Sequence, residues 1–312
     1  MKKHRLVLVI LLAVLAISLQ GFDSKFIRVI SQTKAPVANG IKLNDQYAYV
    51  YNDWYLYVYS LKNLWAPQIE TGFINTFPTT DVLSLDYSHI FVCTHEPTNE
   101  LTEIDTLNTF GRIYFAQRLI CDKAKREGAM LYTTSTTNGL EIYDISKGIT
   151  PQKISSFSEK WGIRDFEAQY PLIHALNDFG YVNIDISNLE NPHTNGTNYE
   201  IIEGSVISVN RNIAWIGARS TLLAVDVTYP DKPVIINRYR FSSDINDIKA
   251  RGDEIFVALN ASGLKILDIS NPKRIVEKNN YPFKTALKAV AVQGDNIFLA
   301  AGAAGWIILE YR

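Results

Sequence analysis

The chain has few of the residues from which catalytic and metal sites are usually built. Its 312 residues include two cysteines, two methionines and five histidines. The histidines fit no HExxH or paired-histidine spacing, so an ordinary zinc site is not predicted. No GxSxG, GxGxxG or phosphate-binding loop follows a strand-like run. The sequence therefore predicts no catalytic residue, no metal site and no cofactor.

Net charge and flexible linkers are also lacking. Lys and Arg number 31 against 32 Asp and Glu, which leaves a formal charge of -1. Such a balance gives no reason to expect nucleic acid or an anionic membrane surface as a partner. No low-complexity tract and no linker rich in Pro, Gly or Ser divides the chain. These features predict one domain rather than several.

A unit that ends in an acidic residue recurs along the chain. Residues 263–272 (GLKILDISNP) are its clearest copy. Its Asp268 aligns with six other anchor positions, Ser60, Asp105, Asp144, Asp185, Asp226 and Glu310. The steps between anchors are 39 to 45 residues, and a period of about 40 to 45 residues with several strands per unit is typical of a β-propeller blade. The sequence predicts an all-β, seven-bladed β-propeller of four-stranded blades, with strands in the sixth unit at 246–250, 254–259, 263–269 and 274–279.

Apolar residues recur four positions and one position before each anchor, as at Leu264 and Leu267. Because they are three apart, they point to opposite faces of a strand, so both faces are predicted to be buried. Six aromatic residues recur near the start of the second strand and are predicted to fill the space between blades: Tyr49, Phe91, Tyr132, Trp215, Phe256 and Phe298. The anchor Asp residues precede Ser or Thr, which favours turn caps over catalytic carboxylates.

Three copies of the anchor region resemble a known family. DISNP (268–272), DISNLENP (185–192) and DVTYPDKP (226–233) each follow an aliphatic run. They are similar to the LVIVD-repeat family of bacterial and archaeal envelope proteins. The similarity spans roughly residues 26–312 and is strongest from residue 131 onward. The resemblance implies a propeller fold and export, and it carries over no catalytic motif.

The N-terminus predicts export. Residues 1–5 (MKKHR) are basic, and residues 6–19 are an uninterrupted apolar run of 14. This run is short for a membrane span of about 20 residues, and the pattern is that of a signal peptide. Because Ser18-Leu19-Gln20 is a poor cleavage motif, an uncleaved membrane anchor is the alternative. The predicted domains are thus 1–21, signal peptide or anchor, and 22–312, the propeller, located in the periplasm, at the cell surface or outside the cell.

The two cysteines, Cys93 and Cys121, lie in the strand-like runs IFVCTH and RLICDK. Buried strand positions favour two free thiols. A disulfide is the alternative, since exported chains can pair their cysteines.

The ring is predicted to close through the N-terminus. The seventh anchor is followed by two residues only, so the last unit lacks an outer strand. Residues 26–31 (FIRVIS) resemble the outer-strand runs of other units and are predicted to supply it. Joining the two ends of the chain in one sheet would remove exposed edges.

One face is predicted to bind a partner. Loops that enter the innermost strands, and loops between second and third strands, emerge on the same face of a propeller, and in the first four units they depart most from the repeat. Candidate binding residues there are Asn52, Asp53, Trp54, His95, Glu96, Lys160, Trp161, Arg164, Asp165, Asn177 and Asp178. The alternative for Trp54 and Trp161 is that they cover the ends of blades.

Two classes of function follow. The favoured one is an exported, non-catalytic binding or scaffolding propeller of the cell envelope, with an envelope protein or polysaccharide as its partner. Membrane contact is expected only through residues 1–21, if they are retained. The alternative is an envelope hydrolase or lactonase-like enzyme with its site at the mouth of the central channel.

Overall fold

The computed structural model describes residues 26–33, 37–74, 78–84, 89–94, 101–105, 113–114, 121–135, 139–147, 151–158 and 162–312. Its named elements are all β-strands. Within the described ranges, no helix has the length and apolar character needed to cross a membrane. The all-β prediction is confirmed.

The strands form seven four-stranded sheets within these ranges, which we number blades 1 to 7. Blade 1 contains β2 (Gly40–Leu43), β3 (Tyr47–Tyr51), β4 (Tyr55–Ser60) and β5 (Gln68–Ile74). Blade 2 contains β6 (Thr79–Ser84), β7 (His89–Thr94), β8 (Leu101–Asp105) and β9 (Ile113–Tyr114). Blade 3 contains β10 (Lys123–Glu127), β11 (Met130–Ser135), β12 (Gly139–Asp144) and β13 (Gln152–Phe157).

Blades 4 to 7 complete the set of sheets. Blade 4 contains β14 (Ile163–Gln169), β15 (Leu172–Asn177), β16 (Tyr181–Asp185) and β17 (His193–Asn198). Blade 5 contains β18 (Gly204–Asn210), β19 (Ile213–Ala218), β20 (Thr221–Asp226) and β21 (Val234–Arg240). Blade 6 contains β22 (Ile245–Arg251), β23 (Glu254–Leu259), β24 (Gly263–Asp268) and β25 (Val276–Tyr281). Blade 7 contains β26 (Ala289–Gln293), β27 (Asn296–Ala300), β28 (Trp306–Tyr311) and β1 (Ile27–Thr33).

The innermost strand of each blade contacts the innermost strand of the next, and β26 also contacts β2. These strands line one common cavity. Four-stranded blades around a shared axis are a β-propeller, as the repeat predicts. The predicted strands of the sixth unit agree with β22 to β25 to within two residues at every end.

The first strand of the chain lies beside the last one. β1 pairs antiparallel with β28, with Ile27 opposite Tyr311 and Thr33 opposite Trp306. The backbone N–H of Phe26 donates to the carbonyl of Arg312 at 2.7 Å, and the Arg28 guanidinium pairs with the Glu310 carboxylate.

Apolar side chains fill the spaces between blades. Leu264 packs in the cluster between blades 6 and 7, whereas Leu267 packs in the cluster between blades 5 and 6. Both faces of one strand are therefore buried, as predicted. The six predicted aromatic residues are each at most 1% exposed, which confirms their place in the packing between blades.

The anchor aspartates cap turns. Asp144, Asp185, Asp226 and Asp268 each accept the backbone N–H two residues ahead, at 2.7 to 2.9 Å. The Ser or Thr two residues ahead lowers the pKa of each carboxyl below its ordinary value. The larger effect comes from its side-chain hydroxyl, and the smaller one from its backbone N–H. Turn capping is confirmed at these four positions.

The prediction of two free thiols is wrong. Cys93 in β7 and Cys121 just before β10 form a disulfide, with 5.2 Å between their Cα atoms. The innermost strand of blade 3 begins beside blade 2, so two strand-like runs from different units come into contact. Both cysteines are completely buried, as the prediction assumed. They form a disulfide because the contact between blades 2 and 3 brings them together.

The central channel and the loop face

The innermost strands enclose a cavity of about 410 Å³ on the propeller axis. Its wall carries lysines from four blades and acids from two: Lys42, Lys123, Lys125, Lys249, Lys288, Asp165, Glu167 and Asp247. A volume of this size is within the range of small-molecule sites. The channel is therefore the first candidate site.

Three aspartates at corresponding positions clamp neighbouring blades together. Asp81, Asp165 and Asp247 each follow a β-bulge in the innermost strand of blade 2, 4 or 6. Each carboxylate accepts a backbone N–H from the innermost strand of the next blade, from Ala124 at 3.2 Å, Ile207 at 2.9 Å and Val290 at 2.8 Å. The extra residue of a bulge turns the following side chain out of the regular alternation. These acids are thus structural acceptors between blades.

In blade 1, a glycine takes the position that a clamp aspartate holds in blades 2, 4 and 6. Gly40 pairs with Tyr51 there, as Asp81 pairs with Cys93 in blade 2. A Cβ at Gly40 would lie 2.1 Å from Cζ of Tyr51, so only glycine leaves room for the tyrosine ring. The Tyr51 hydroxyl donates to Asp81 at 3.4 Å. Burial, together with the negative charge of Asp81, raises the pKa of Tyr51.

Lys42 neutralises Asp81. Its Nζ lies 2.9 Å from Oδ1 of a carboxylate that is fully buried. Burial acts to raise the pKa of Asp81, but the charges of Lys42, Lys123 and Lys125 outweigh it and lower the pKa. Burial likewise acts to lower the pKa of Lys42, and the attraction of Asp81 reverses this effect.

The other channel acids also have partners. Glu167 lies 3.4 Å from Nζ of Lys125 and 3.9 Å from Nζ of Lys249. Asp247 accepts N–H groups from Val290 and from Ile248. Its pKa is nevertheless raised, because burial outweighs the hydrogen bond from Val290 and the charges of Lys42 and Lys123. In the part of the chain that the structure describes, no three His, Cys, Asp or Glu residues are grouped so as to hold a metal ion.

Trp54 lies on a loop that is fixed on both sides. Asn52 Oδ1 accepts the backbone N–H groups of Trp54 and Tyr55, both at 2.9 Å. The Asn52 amide donates to the carbonyl of Val37, and the carbonyl of Asp53 accepts the N–H of Thr79 in blade 2. The indole is nevertheless 51% exposed. A rigid loop therefore holds a large aromatic side chain in solvent.

Arg164 and Asp178 meet on the same face, at 2.5 Å. Arg164 is the bulged residue of β14, and Asp178 lies in the loop after β15. Arg164 and Asp165 were predicted on a loop and lie in this strand instead, where Asp165 is 9% exposed and serves as a clamp. His95, Glu96, Lys160 and Trp161 lie outside the described residues.

One buried polar cluster was not predicted. His174 Nδ1 lies 2.5 Å from the Tyr181 hydroxyl and 3.3 Å from the Asn183 amide. In the strand register, His174 lies opposite Asn183 in blade 4, just as Trp215 lies opposite Ala224 in blade 5. His174 therefore occupies the position at which the other blades carry the recurring aromatic residue. The regular series of six aromatics, with its one gap, is the signal that could have identified it. Burial lowers the pKa of His174 to about 4, although the charge of Glu167 opposes this.

The comparisons with known proteins support the repeat and the fold. The LVIVD repeat model matches residues 243–282. The computationally designed Ika8 protein is similar in structure, with a TM-score of 0.66, 7% identity, and coverage of 91% of this chain and 98% of that one. Saccharomyces cerevisiae Sqt1 has a TM-score of 0.61 at 10% identity, with 86% and 81% covered. No curated protein matches significantly in sequence. Residues 243–282 therefore contain an LVIVD repeat, which spans blade 6 of a β-propeller.

Proposed function

We propose that this chain is an exported, non-catalytic binding propeller of the cell envelope, and that an envelope protein or polysaccharide docks on its loop face. The observation that carries the proposal is the exposed indole of Trp54 on a loop held by Asn52 and Asp53. Tryptophan is enriched among the residues that dominate binding energy. Because the loop is already ordered, a partner would cost little conformational entropy to bind.

The channel acids favour binding over the hydrolase or lactonase-like alternative. A hydrolytic site at the channel mouth would need a carboxylate that is free to exchange a proton with substrate or water. Asp165 and Asp247 instead accept backbone N–H groups of the next blade. Turnover of ester or lactone substrates that is lost in Asp247→Asn would favour the enzyme.

Export rests on two features. The basic residues 1–5 and the apolar residues 6–19 form the pattern of an export signal. The Cys93–Cys121 disulfide suits an oxidising compartment. N-terminal sequencing distinguishes cleavage near residues 21–24 from a retained anchor, through which residues 1–21 would contact a membrane. A cytosolic full-length protein would contradict the proposal.

We also propose that the seven sheets form one ring that β1 holds closed. The pairing of β1 with β28 supports this, because it places the first and last strands of the domain in one sheet. A closed ring keeps the loops of different blades at fixed separations, and a docking surface composed of several loops requires this.

Partner capture from solubilised envelope fractions tests the docking face. Replacing Trp54 and Trp161 by Ala should abolish capture while the thermal melt stays unchanged. Trp65→Ala is the matched control, because Trp65 is 61% exposed on the turn between β4 and β5, away from the loop face. Capture that survives the double substitution would place the site elsewhere. A lowered melting temperature would instead assign the two residues to packing.

A further inference from the structure

We propose that the central channel binds a small oxyanion with more than one negative charge, and that Lys123 and Lys288 hold it. This site is distinct from the loop face around Trp54. It therefore stands or falls independently of the partner proposed above.

The charge distribution in the channel favours an anion. Five lysines line the cavity, against the acids Asp165, Glu167 and Asp247. The acids are engaged, Glu167 by two lysines and the two aspartates by backbone N–H groups of the next blade. A cationic ligand would have to displace these partners, whereas an anion would not.

Among the residues that the structure describes, two of the channel lysines have no acid within ion-pair distance. Lys42 pairs with Asp81, and Lys125 and Lys249 pair with Glu167. Lys123 and Lys288 form no ion pair with any residue that the structure describes, although Lys123 is attracted at longer range by Asp81 and Asp247. Lys123 takes in blade 3 the place that an aspartate holds in blades 2, 4 and 6. A clamp position at the cavity wall is thus occupied by an ammonium group that forms no ion pair within the described ranges.

The cavity limits the ligand to a small molecule. About 410 Å³ is at the lower end of the range for small-molecule sites. Two ammonium groups match two anionic groups, either carboxylates or phosphoryl oxygens. The shared chemistry is that of a compact, multiply charged oxyanion.

Calorimetric titration of the purified protein with citrate and, separately, with inorganic phosphate tests the site at constant ionic strength. At least one of these anions should bind saturably with one-to-one stoichiometry, and neutral glucose should not bind. Binding of citrate alone would assign the site to carboxylates, and binding of phosphate alone to phosphoryl groups. The double variant Lys123→Gln, Lys288→Gln should bind at least about tenfold more weakly, since it removes two charge-assisted contacts.

Lys232→Gln is the matched control, because it removes one charge from a side chain that is 81% exposed outside the channel. It should leave the titration unchanged. Each variant is first checked for a cooperative thermal melt, and the two single lysine variants replace the double one if it does not fold. Failure of both anions to bind, or undiminished binding by the lysine variants, would overturn the proposal.

Discussion

Lys42 in blade 1 lies 2.9 Å from Asp81 in blade 2. The same carboxylate accepts the backbone N–H of Ala124 in blade 3. One buried acid therefore links three consecutive blades at the wall of the channel. Its neutralisation by Lys42 is what makes complete burial of the charge tolerable.

Lys42→Met should lower the free energy of unfolding by about 3 kcal/mol, because it leaves a buried carboxylate without its cation. This value is at the lower end for such pairs, since the Lys42 side chain is 35% exposed and water partly screens the charge. Urea unfolding at pH 7 measures the effect.

Lys265→Met is the control for that experiment. Lys265 lies 2.9 Å from Glu277, whose side chain is 36% exposed, so its loss should cost no more than about 1 kcal/mol. Equal costs for the two variants would show that the Lys42 pair has no special role in joining the blades.

Asp81 and Asp247 should respond in opposite ways to replacement by Asn. The pKa of Asp81 is lower in the folded protein than in the unfolded chain, so its charge stabilises the fold. This stabilisation is fully present above about pH 3.9, the ordinary Asp value, and it is lost as the pH falls through the lower folded pKa. The pKa of Asp247 is raised by burial, so its charge destabilises the fold, and stability is regained as the pH falls through the folded pKa.

At pH 7, Asp81→Asn should therefore lower the free energy of unfolding by about 1 to 3 kcal/mol. Asp247→Asn should leave it unchanged or raise it by up to about 1 kcal/mol, because the amide oxygen still accepts the Val290 N–H. Unfolding curves of both variants at pH 7 decide the matter. A loss of stability in both would show that the two clamps depend equally on charge.

The repeat predicted the blades well because the anchor and its apolar neighbours are local in sequence. The clamp contacts were missed because each joins residues about one repeat apart. A signal was present, since Asp81, Asp165 and Asp247 are separated by 84 and 82 residues, about two repeats. Asp165 was instead predicted to lie on a binding loop, because a β-bulge places it in an irregular stretch.

Removal of β1 tests ring closure. A protein that lacks residues 1–33 would expose the edge of β28 and lose the contact of Arg28 with Glu310. It should unfold at lower urea than a protein that lacks only residues 1–25, and it should aggregate with rising concentration through the free edge. The two truncations are compared by urea unfolding and light scattering. Identical midpoints would contradict closure by β1.

The packing between blades also explains why one part of the candidate site could not be predicted. Trp54 was identified because an aromatic in an irregular loop is visible in the sequence. His174 was not, because its importance depends on Tyr181 and Asn183, whose inward orientation follows from the register of β15 and β16. Hydrogen-bond partners across a sheet depend on register, which the sequence repeat fixes only approximately.

His174 should make the protein sensitive to mild acid. Its ring is 2% exposed, and burial lowers its pKa from 6.5 to about 4. Burial keeps the pKa of Tyr181 raised, so its hydroxyl stays protonated and can donate to Nδ1. A protonated imidazole carries a hydrogen on Nδ1, so Nδ1 could no longer accept the hydrogen bond from the Tyr181 hydroxyl. The fold therefore holds the neutral ring, whereas the unfolded chain binds a proton below about pH 6.5.

Because the unfolded chain protonates His174 at a higher pH than the folded protein does, acid lowers the stability of the fold. The contribution of His174 is fully present above the unfolded pKa and is lost as the pH falls from about 6.5 to the folded value near 4, for a total of about 3 kcal/mol. His174→Gln keeps an acceptor for Tyr181 but does not titrate, so it should remove most of this loss. His193→Gln, at an exposed position in β17, should leave it unchanged. Free energies of unfolding measured from pH 7 to pH 4 check this. If the wild type and His174→Gln lose stability in parallel over that range, the acid sensitivity arises from other groups.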